Sequence, residues 1–242
     1  MGDEAAVAGT APPSYPFLIA QGWATIQGYL HVNANYELVT DNLMDLSHAE
    51  FLHPFIAPEG TASSIAYRAE QRGERVSVFN DMRDQPNTPL FEIVLGSDVK
   101  RIDGAANTHW EAPANMLLET CAVALDSGDG RKATMPQAHL LTPETEISTH
   151  YFWGLSRDRC LDNPELEEML RAGISHAFEY EDEPMIHAVQ ERMRNRPLFE
   201  LSPALLPMDE GAVRARRILA AHIAAEQTAR RPQEADAGQV PA

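Results

Sequence analysis

Apolar residues recur along this chain in two rhythms, and the places where the rhythm changes mark its elements. Ala24 to Val32 (ATIQGYLHV) has the branched and aromatic composition of a strand. From Tyr36 to His53 the spacing becomes helical, with Leu38, Val39, Leu43, Leu46 and Phe51 on one side and Asn35 as N-cap. Between about residue 64 and residue 156 short β-type runs follow one another: Arg75 to Asn80, Val99 to Ile102, Met116 to Leu125, Ala133 to Leu141 and Thr145 to Ser156. Ser127-Gly128-Asp129-Gly130 is a turn signal, because Gly and Asp tolerate positive φ, so its flanks should pair antiparallel.

Asn163-Pro164 opens a second helical pattern through Leu166, Met169, Leu170, Ile174, Ala177 and Phe178, extending to about Arg194. Pro184 should kink or interrupt it. A last helix begins near Asp209, where Asp209 and Glu210 followed by Arg214, Arg216 and Arg217 suit the helix dipole. A helix, an antiparallel sheet and then two helices make an α+β fold, with no βαβ alternation.

With 242 residues, 44% of them hydrophobic, the chain can bury one sizeable core. The expected division is a tail over residues 1–18, a single domain over 19–226 and a second tail over 227–242, since both ends are small, polar and Pro-containing. A formal charge of −17 repels phosphate backbones and anionic lipid surfaces, which argues against nucleic-acid and membrane partners. No run of 18 apolar residues and no secretory pattern is present, leaving the cytoplasm as the expected compartment. Cys121 and Cys160 are too few for a disulfide framework.

The candidate chemistry concentrates in Asn42-Leu43-Met44-Asp45-Leu46-Ser47-His48-Ala49-Glu50-Phe51-Leu52-His53. Asp45 and His48 are three apart, so on a helix the carboxylate can accept the imidazole N–H and fix which nitrogen faces a metal. His48 and His53 are five apart, about 140° around an ideal helix, so a shared ion requires a widened or broken turn between them. An acidic run, Glu179, Glu181, Asp182 and Glu183, offers a third ligand, although each acid reads equally well as part of a solvated face.

The stretch DNLMDLSHAEFLH resembles the mononuclear-iron motif of Rieske oxygenases, N-x-x-D-x-x-H-x₄-H. His139 to Trp153 (HLLTPETEISTHYFW) is similar to the H-x-L-T-P-E-T-E…H-Y-F stretch of vanillate and dicamba O-demethylase oxygenase components, and Glu181-Asp182-Glu183-Pro184 and DEGAVRARRI resemble their closing helices. Collinear similarity covers roughly residues 20 to 225. The resemblance implies a helix-grip fold, an antiparallel sheet packed against a long C-terminal helix, and a 2-His-1-carboxylate Fe(II) site that leaves positions open for O₂. It assigns His48, His53 and Asp182 as ligands, Asp45 as the link to a neighbouring subunit's cluster, and Asn42 as a polar neighbour of the metal. His139 becomes the candidate for holding an aromatic substrate's carboxylate or hydroxyl; its bland alternative is a strand histidine bonded to backbone.

The implied function is the oxygenase component of an aromatic O-demethylase or ring-hydroxylating oxygenase. It would use O₂ with electrons from a 2Fe–2S Rieske cluster and an NADH-dependent reductase, in a head-to-tail homotrimer. The departure is plain: a Rieske cluster needs two Cys and two His, usually as C-x-H and C-x₂-H, and neither Cys121 nor Cys160 has His at those offsets. The cluster domain is thus expected to be missing from this chain, with Met1-Gly2-Asp3 similar to its closing residues, through a misplaced start or a truncated gene. Isolated catalysis should then be negligible. Two rival readings are a non-redox pocket domain that binds an apolar or aromatic ligand, and a zinc hydrolase built on the same ligands.

Overall fold

A computed structural model describes residue 11 and residues 13–237, with side chains as far as residue 228; Met1-Gly2-Asp3 and residues 238–242 lie outside the described residues. The chain runs through β1 (Ala24–Val32), α1 (Tyr36–Met44), a 3-10 turn (Leu46–His48), α2 (Ala49–Leu52), α3 (Thr61–Ser64), β2 (Ala66–Arg72), β3 (Arg75–Pro86) and α4 (Pro89–Leu95). It continues through β4 (Arg101–Glu111), β5 (Asn115–Ala124), β6 (Lys132–Thr145), β7 (Ser148–Arg157), α5 (Pro164–His176), a π turn (Ala177–Asp182), α6 (Glu183–Met193) and α7 (Glu210–Ala237). The seven strands form one sheet in the order β1-β7-β6-β5-β4-β3-β2. Every neighbouring pair is antiparallel. This is the expected α+β architecture, and the turn at Ser127–Gly130 joins β5 to β6 as its composition predicts, with Gly128 and Gly130 at positive φ.

One face of the sheet carries the helices. α5 lies on β1, α7 on β2 and β3, and α1 sits between α6 and α7 above β4 and β6. The core between these layers includes Ile26, Val39, Met44, Val78, Trp110, Met116, Leu155 and Leu170, all of them buried. Alternation along each strand supplies the buried face, and the helical period supplies the other side. Close approach is enforced at Gly211, where a Cβ would lie 2.2 Å from Val78 Cγ2, so only glycine lets the start of α7 settle onto β3.

Several elements differ from expectation for physical reasons. The pattern over 36–53 does not form one helix: α1 ends at Met44 and Asp45 is extended at φ −119°, ψ 97°. The pattern over 164–194 is interrupted by the π turn, which ends just before Pro184 in the first turn of α6. Proline has no N–H to close the ladder and its ring crowds the carbonyl four residues back, so the helix widens immediately before it. β2 and α4 do not stand out in the strand runs, and β4 extends to Glu111 through Gly104, Ala105 and Ala106, small residues that carry no apolar alternation. At the ends, Pro16–Leu18 forms a 3-10 turn beside β7, Ser156 Oγ donating to Phe17 O at 3.2 Å, and α7 continues through residues 227–237. Among the described residues no helix is long and apolar enough to cross a membrane.

α1 is held from three sides. Thr108 Oγ1 donates to Leu43 O at 3.1 Å, Asn35 N–H donates to Gln190 Oε1 at 2.9 Å, and Arg216 of α7 forks onto Asp41 through Nε (2.9 Å) and a terminal nitrogen (2.6 Å). The other terminal nitrogen of Arg216 donates to Glu37. Arg216→Met strips the cation from two half-buried carboxylates, and the folded protein should lose about 2 to 3 kcal/mol. Urea unfolding followed by circular dichroism should show a lower midpoint at unchanged slope.

Candidate metal centre

Asp45 breaks the helix that begins at Tyr36 and starts the next turn. Its N–H still closes the last turn of α1 on Asp41 O at 3.0 Å, while its side chain swings back to accept from Ser47 N at 2.9 Å and caps the Leu46–His48 turn. Asp side chains compete in this way with the helical ladder, which makes the residue a natural break point. The break removes the 140° divergence expected of an ideal helix. His48 closes the 3-10 turn, His53 caps α2, and the two rings lie 5.3 Å apart at 82°.

Asp182 ends the π turn and meets both rings. Its Oδ1 lies 3.1 Å from His53 Nε2 and 3.5 Å from His48 Nε2, and one ligand atom from each residue falls within 4.8 Å of the other two. Metal–ligand bonds of about 2.1 Å put neighbouring ligands roughly 3 Å apart at right angles, so the spacing fits a single small divalent ion with its remaining positions open. The proton positions fit as well. His48 Nδ1 lies 2.6 Å from Asp45 O, and His53 Nδ1 lies 2.7 Å from Glu181 Oε2. A carbonyl and a carboxylate can only accept, so both Nδ1 atoms carry hydrogen and both Nε2 atoms face the shared point.

The orienting group of His48 is therefore the main chain of Asp45; the carboxylate expected to do this caps Ser47 instead. Of the four acids considered as a third ligand, Asp182 is buried among the imidazoles, Glu181 holds the far side of His53, Glu183 accepts from Asn33 Nδ2 at 3.0 Å, and Glu179 is exposed. Burial is the largest influence on His53 and would lower its pKa. The hydrogen bonds and charges of Asp182 and Glu181 together outweigh it, so the net shift is upward.

Beside the cluster lies a cavity of about 410 Å³, lined by Asn42, His48, His53 and Asp182 at one end and by Leu90, Phe91, Ile102, Leu118, Ile174 and Phe178 farther in. Its helical lining comes from α1 to α5, the 3-10 turn and the π turn; among the described residues none of α7 lines it, and none of the lining residues is Lys or Arg. Asn80, Gln137 and His139 supply polar atoms on the sheet side. His139 is buried on β6 between Met116 and Trp153, and its Nδ1 lies 2.7 Å from the Tyr151 hydroxyl. Its partner is thus a side chain, not backbone. Burial pushes the Tyr151 phenol well above its ordinary pKa, and His139 Nε2, the ring's other nitrogen, has no protein partner among the described residues. Sequence reasoning missed Glu181 as a partner of His53, and Gln137 and Tyr151 as companions of His139. Gln137 was findable from its place two residues before His139 on one strand face; Glu181 and Tyr151 depend on distant elements meeting.

A family model described as the vanillate O-demethylase oxygenase C-terminal domain matches residues 32–225. The chain is similar to the oxygenase component of chloroacetanilide N-alkylformylase from Rhizorhabdus wittichii, 33% identical over 202 residues that make up 83% of this chain and 58% of that protein. Its structure superposes on dicamba monooxygenase bound to 3,6-dichlorosalicylic acid with a TM-score of 0.82 at 28% identity, over 94% of this chain and 66% of the other. Dicamba monooxygenase with non-heme iron and dicamba aligns with a TM-score of 0.71 at 27% identity, over 96% and 65% of the two chains. The chain thus spans less than two thirds of the length of each.

Burial lowers the His139 pKa from 6.5 to about 3, so the unfolded chain takes up a proton at this residue where the folded protein refuses it. Stability from this residue is complete above the unfolded value and is lost as pH falls from 6.5 toward 3. The limiting slope is about 1.4 kcal/mol per pH unit. Urea unfolding of His139→Leu should show an acid limb shallower by nearly one proton; limbs of equal slope would refute the neutral buried imidazole.

Proposed function

Because the chain belongs to the vanillate O-demethylase oxygenase family, through that family's C-terminal domain, we propose that it is the catalytic part of a Rieske-type non-haem iron oxygenase with His48, His53 and Asp182 holding one ferrous ion. The observation that carries this reading is the convergence of two Nε2 atoms and one carboxylate oxygen beside a largely apolar cavity. Bound there, Fe(II) supplies O₂ activation, one oxygen atom entering a substrate C–H bond and the other leaving as water with two electrons and two protons. A methoxy carbon hydroxylated in this way departs as formaldehyde and leaves a phenol behind.

The chain's own groups bind, orient and exclude water. Leu90, Phe91, Ile102, Leu118 and Phe178 would surround an aromatic ring and keep bulk water from the reacting end. The Nε2–H of His139 would donate to an oxygen of the substrate, a carboxylate or hydroxyl in the aromatic-acid case, and so set which carbon points at His48, His53 and Asp182. A donor buried without a partner binds strongly to an acceptor brought to it, because its desolvation is already complete. Asn42 lines the metal end of the cavity and would act as a polar neighbour there. Asp45, which touches His48 through its carbonyl, would be the point where electrons pass from a neighbouring subunit's cluster to the metal site.

These 242 residues hold two cysteines, neither with a histidine at cluster spacing, so the Rieske cluster must come from outside them. We assign the catalytic domain to residues 19–226, in the cytoplasm, with an NADH-dependent ferredoxin or flavin reductase as electron source and a homotrimer as the assembly that brings cluster and iron together.

Anaerobic reconstitution tests the reading. The parent chain should take up one ferrous ion, while His48→Ala, His53→Ala and Asp182→Ala should each lose more than the roughly 100-fold in affinity that outer-sphere changes cost. Turnover of a methoxylated aromatic, read as formaldehyde, should appear only with NADH, reductase, O₂ and a cluster-bearing partner. Iron uptake that ignores all three substitutions would leave a ligand-binding pocket domain in place of the oxygenase.

A further inference from the structure

Two consecutive side chains of the π turn grip one imidazole from opposite edges. Glu181 Oε2 lies 2.7 Å from Nδ1 of His53, and Asp182 Oδ1 lies 3.1 Å from its Nε2. Successive residues of an α-helix diverge by about 100° and commonly serve different surroundings. A π turn carries an extra residue per turn, which reduces the divergence to roughly 80° and brings two neighbouring carboxylates to one side chain. π segments of this kind persist where they serve a site, because their backbone is poorer than that of the helices flanking them.

Glu181 is only partly exposed. It sits at the edge of the ring remote from Asp182, outside the cluster formed by His48, His53 and Asp182. Among the described residues its other ionic neighbour is His176, whose Nε2 is 3.8 Å from Glu181 Oε1 and whose side chain is largely exposed, a contact of little energetic weight. The two ligand imidazoles are thereby treated differently: His48 donates to a neutral peptide carbonyl, His53 to an anionic carboxylate. A carboxylate that accepts the far N–H raises the donor strength of the near nitrogen and locks the ring's orientation, which a carbonyl does less strongly.

We propose that Glu181 is a positioning residue of the metal centre: by accepting the Nδ1 proton of His53 it aims Nε2 at the ion and makes His53 the stronger donor of the two histidines. This rests on the metal-holding reading of the site proposed above. Sequence spacing assigns the acid beside His48 to that orienting task; the structure gives the carboxylate to His53.

Cobalt(II) titration of the full chain under anaerobic conditions tests the assignment. Affinity is read by competition with a chromophoric chelator, and geometry by the ligand-field absorption of the bound ion. Glu181→Ala should bind Co(II) about 10- to 100-fold more weakly than the parent, with displaced ligand-field bands. Glu181→Gln, which keeps an acceptor oxygen and loses the charge, should fall between them. Glu179→Gln removes the same charge from the same turn at an exposed position, and should match the parent within about twofold. Melting of the metal-free proteins separates a purely structural role, which would move melting and leave the bands in place. Parent-like affinity and bands in Glu181→Ala overturn the proposal, as does equal weakening in Glu179→Gln. Should Glu181→Ala fail to fold, the same readings on Glu181→Gln decide. A parent chain that binds Co(II) with no response to Glu181 overturns this assignment alone; one that binds neither Co(II) nor Fe(II) overturns the metal site itself.

Discussion

Three side chains can share an ion only where the helices that carry them stop being regular. On an unbroken helix His48 and His53 point about 140° apart, and the acids of an unbroken α5–α6 helix fan out one every 100°. Asp45 interrupts the first by spending its side chain on Ser47 N–H, and Pro184 interrupts the second by withholding an N–H. Each break gives up a little backbone hydrogen bonding. Each also turns a spread of polar side chains into a point of convergence.

Convergence of this sort needs rigid support, since two carboxylates and two imidazoles packed together repel or attract by their protonation. The support comes from α1, which is bonded to β4 through Thr108, to α6 through Gln190 and to α7 through Arg216. His53 is the ring that both carboxylates hold, Asp182 at Nε2 and Glu181 at Nδ1.

The cavity repeats this logic with the opposite polarity. Its walls are largely apolar, and burial keeps the His139 imidazole neutral beside the Tyr151 hydroxyl. Phe178, one turn before Asp182, packs edge-on against Trp153 and beside Tyr151, so the π turn that presents the carboxylates also closes the cavity over the aromatic layer of β7. The π turn thus contributes both to the candidate metal centre, through Asp182, and to the cavity wall, through Phe178.

Much of this was legible in the residues themselves. Period-two and period-3.6 patterns depend on local geometry, so β1, β5 to β7, α1, α5 and the start of α7 follow from them, as does the α+β class. The DxxH and H-x₄-H spacings in residues 45–53 marked the imidazoles, and the family likeness singled out Asp182 from an acidic run that composition left ambiguous. Of β4 only the start fell in a strand run, Val99 to Ile102, because Gly104, Ala105 and Ala106 face a cavity, where small residues replace the apolar alternation that signals a packed strand. Which atom of Asp45 meets His48, which acid meets which nitrogen of His53, and which side chain meets His139 were settled by contacts between residues as many as 129 positions apart. Local patterns encode elements because a side chain's face is set by its own backbone; a ligand set is decided by where separate elements cross, and only tertiary packing determines that.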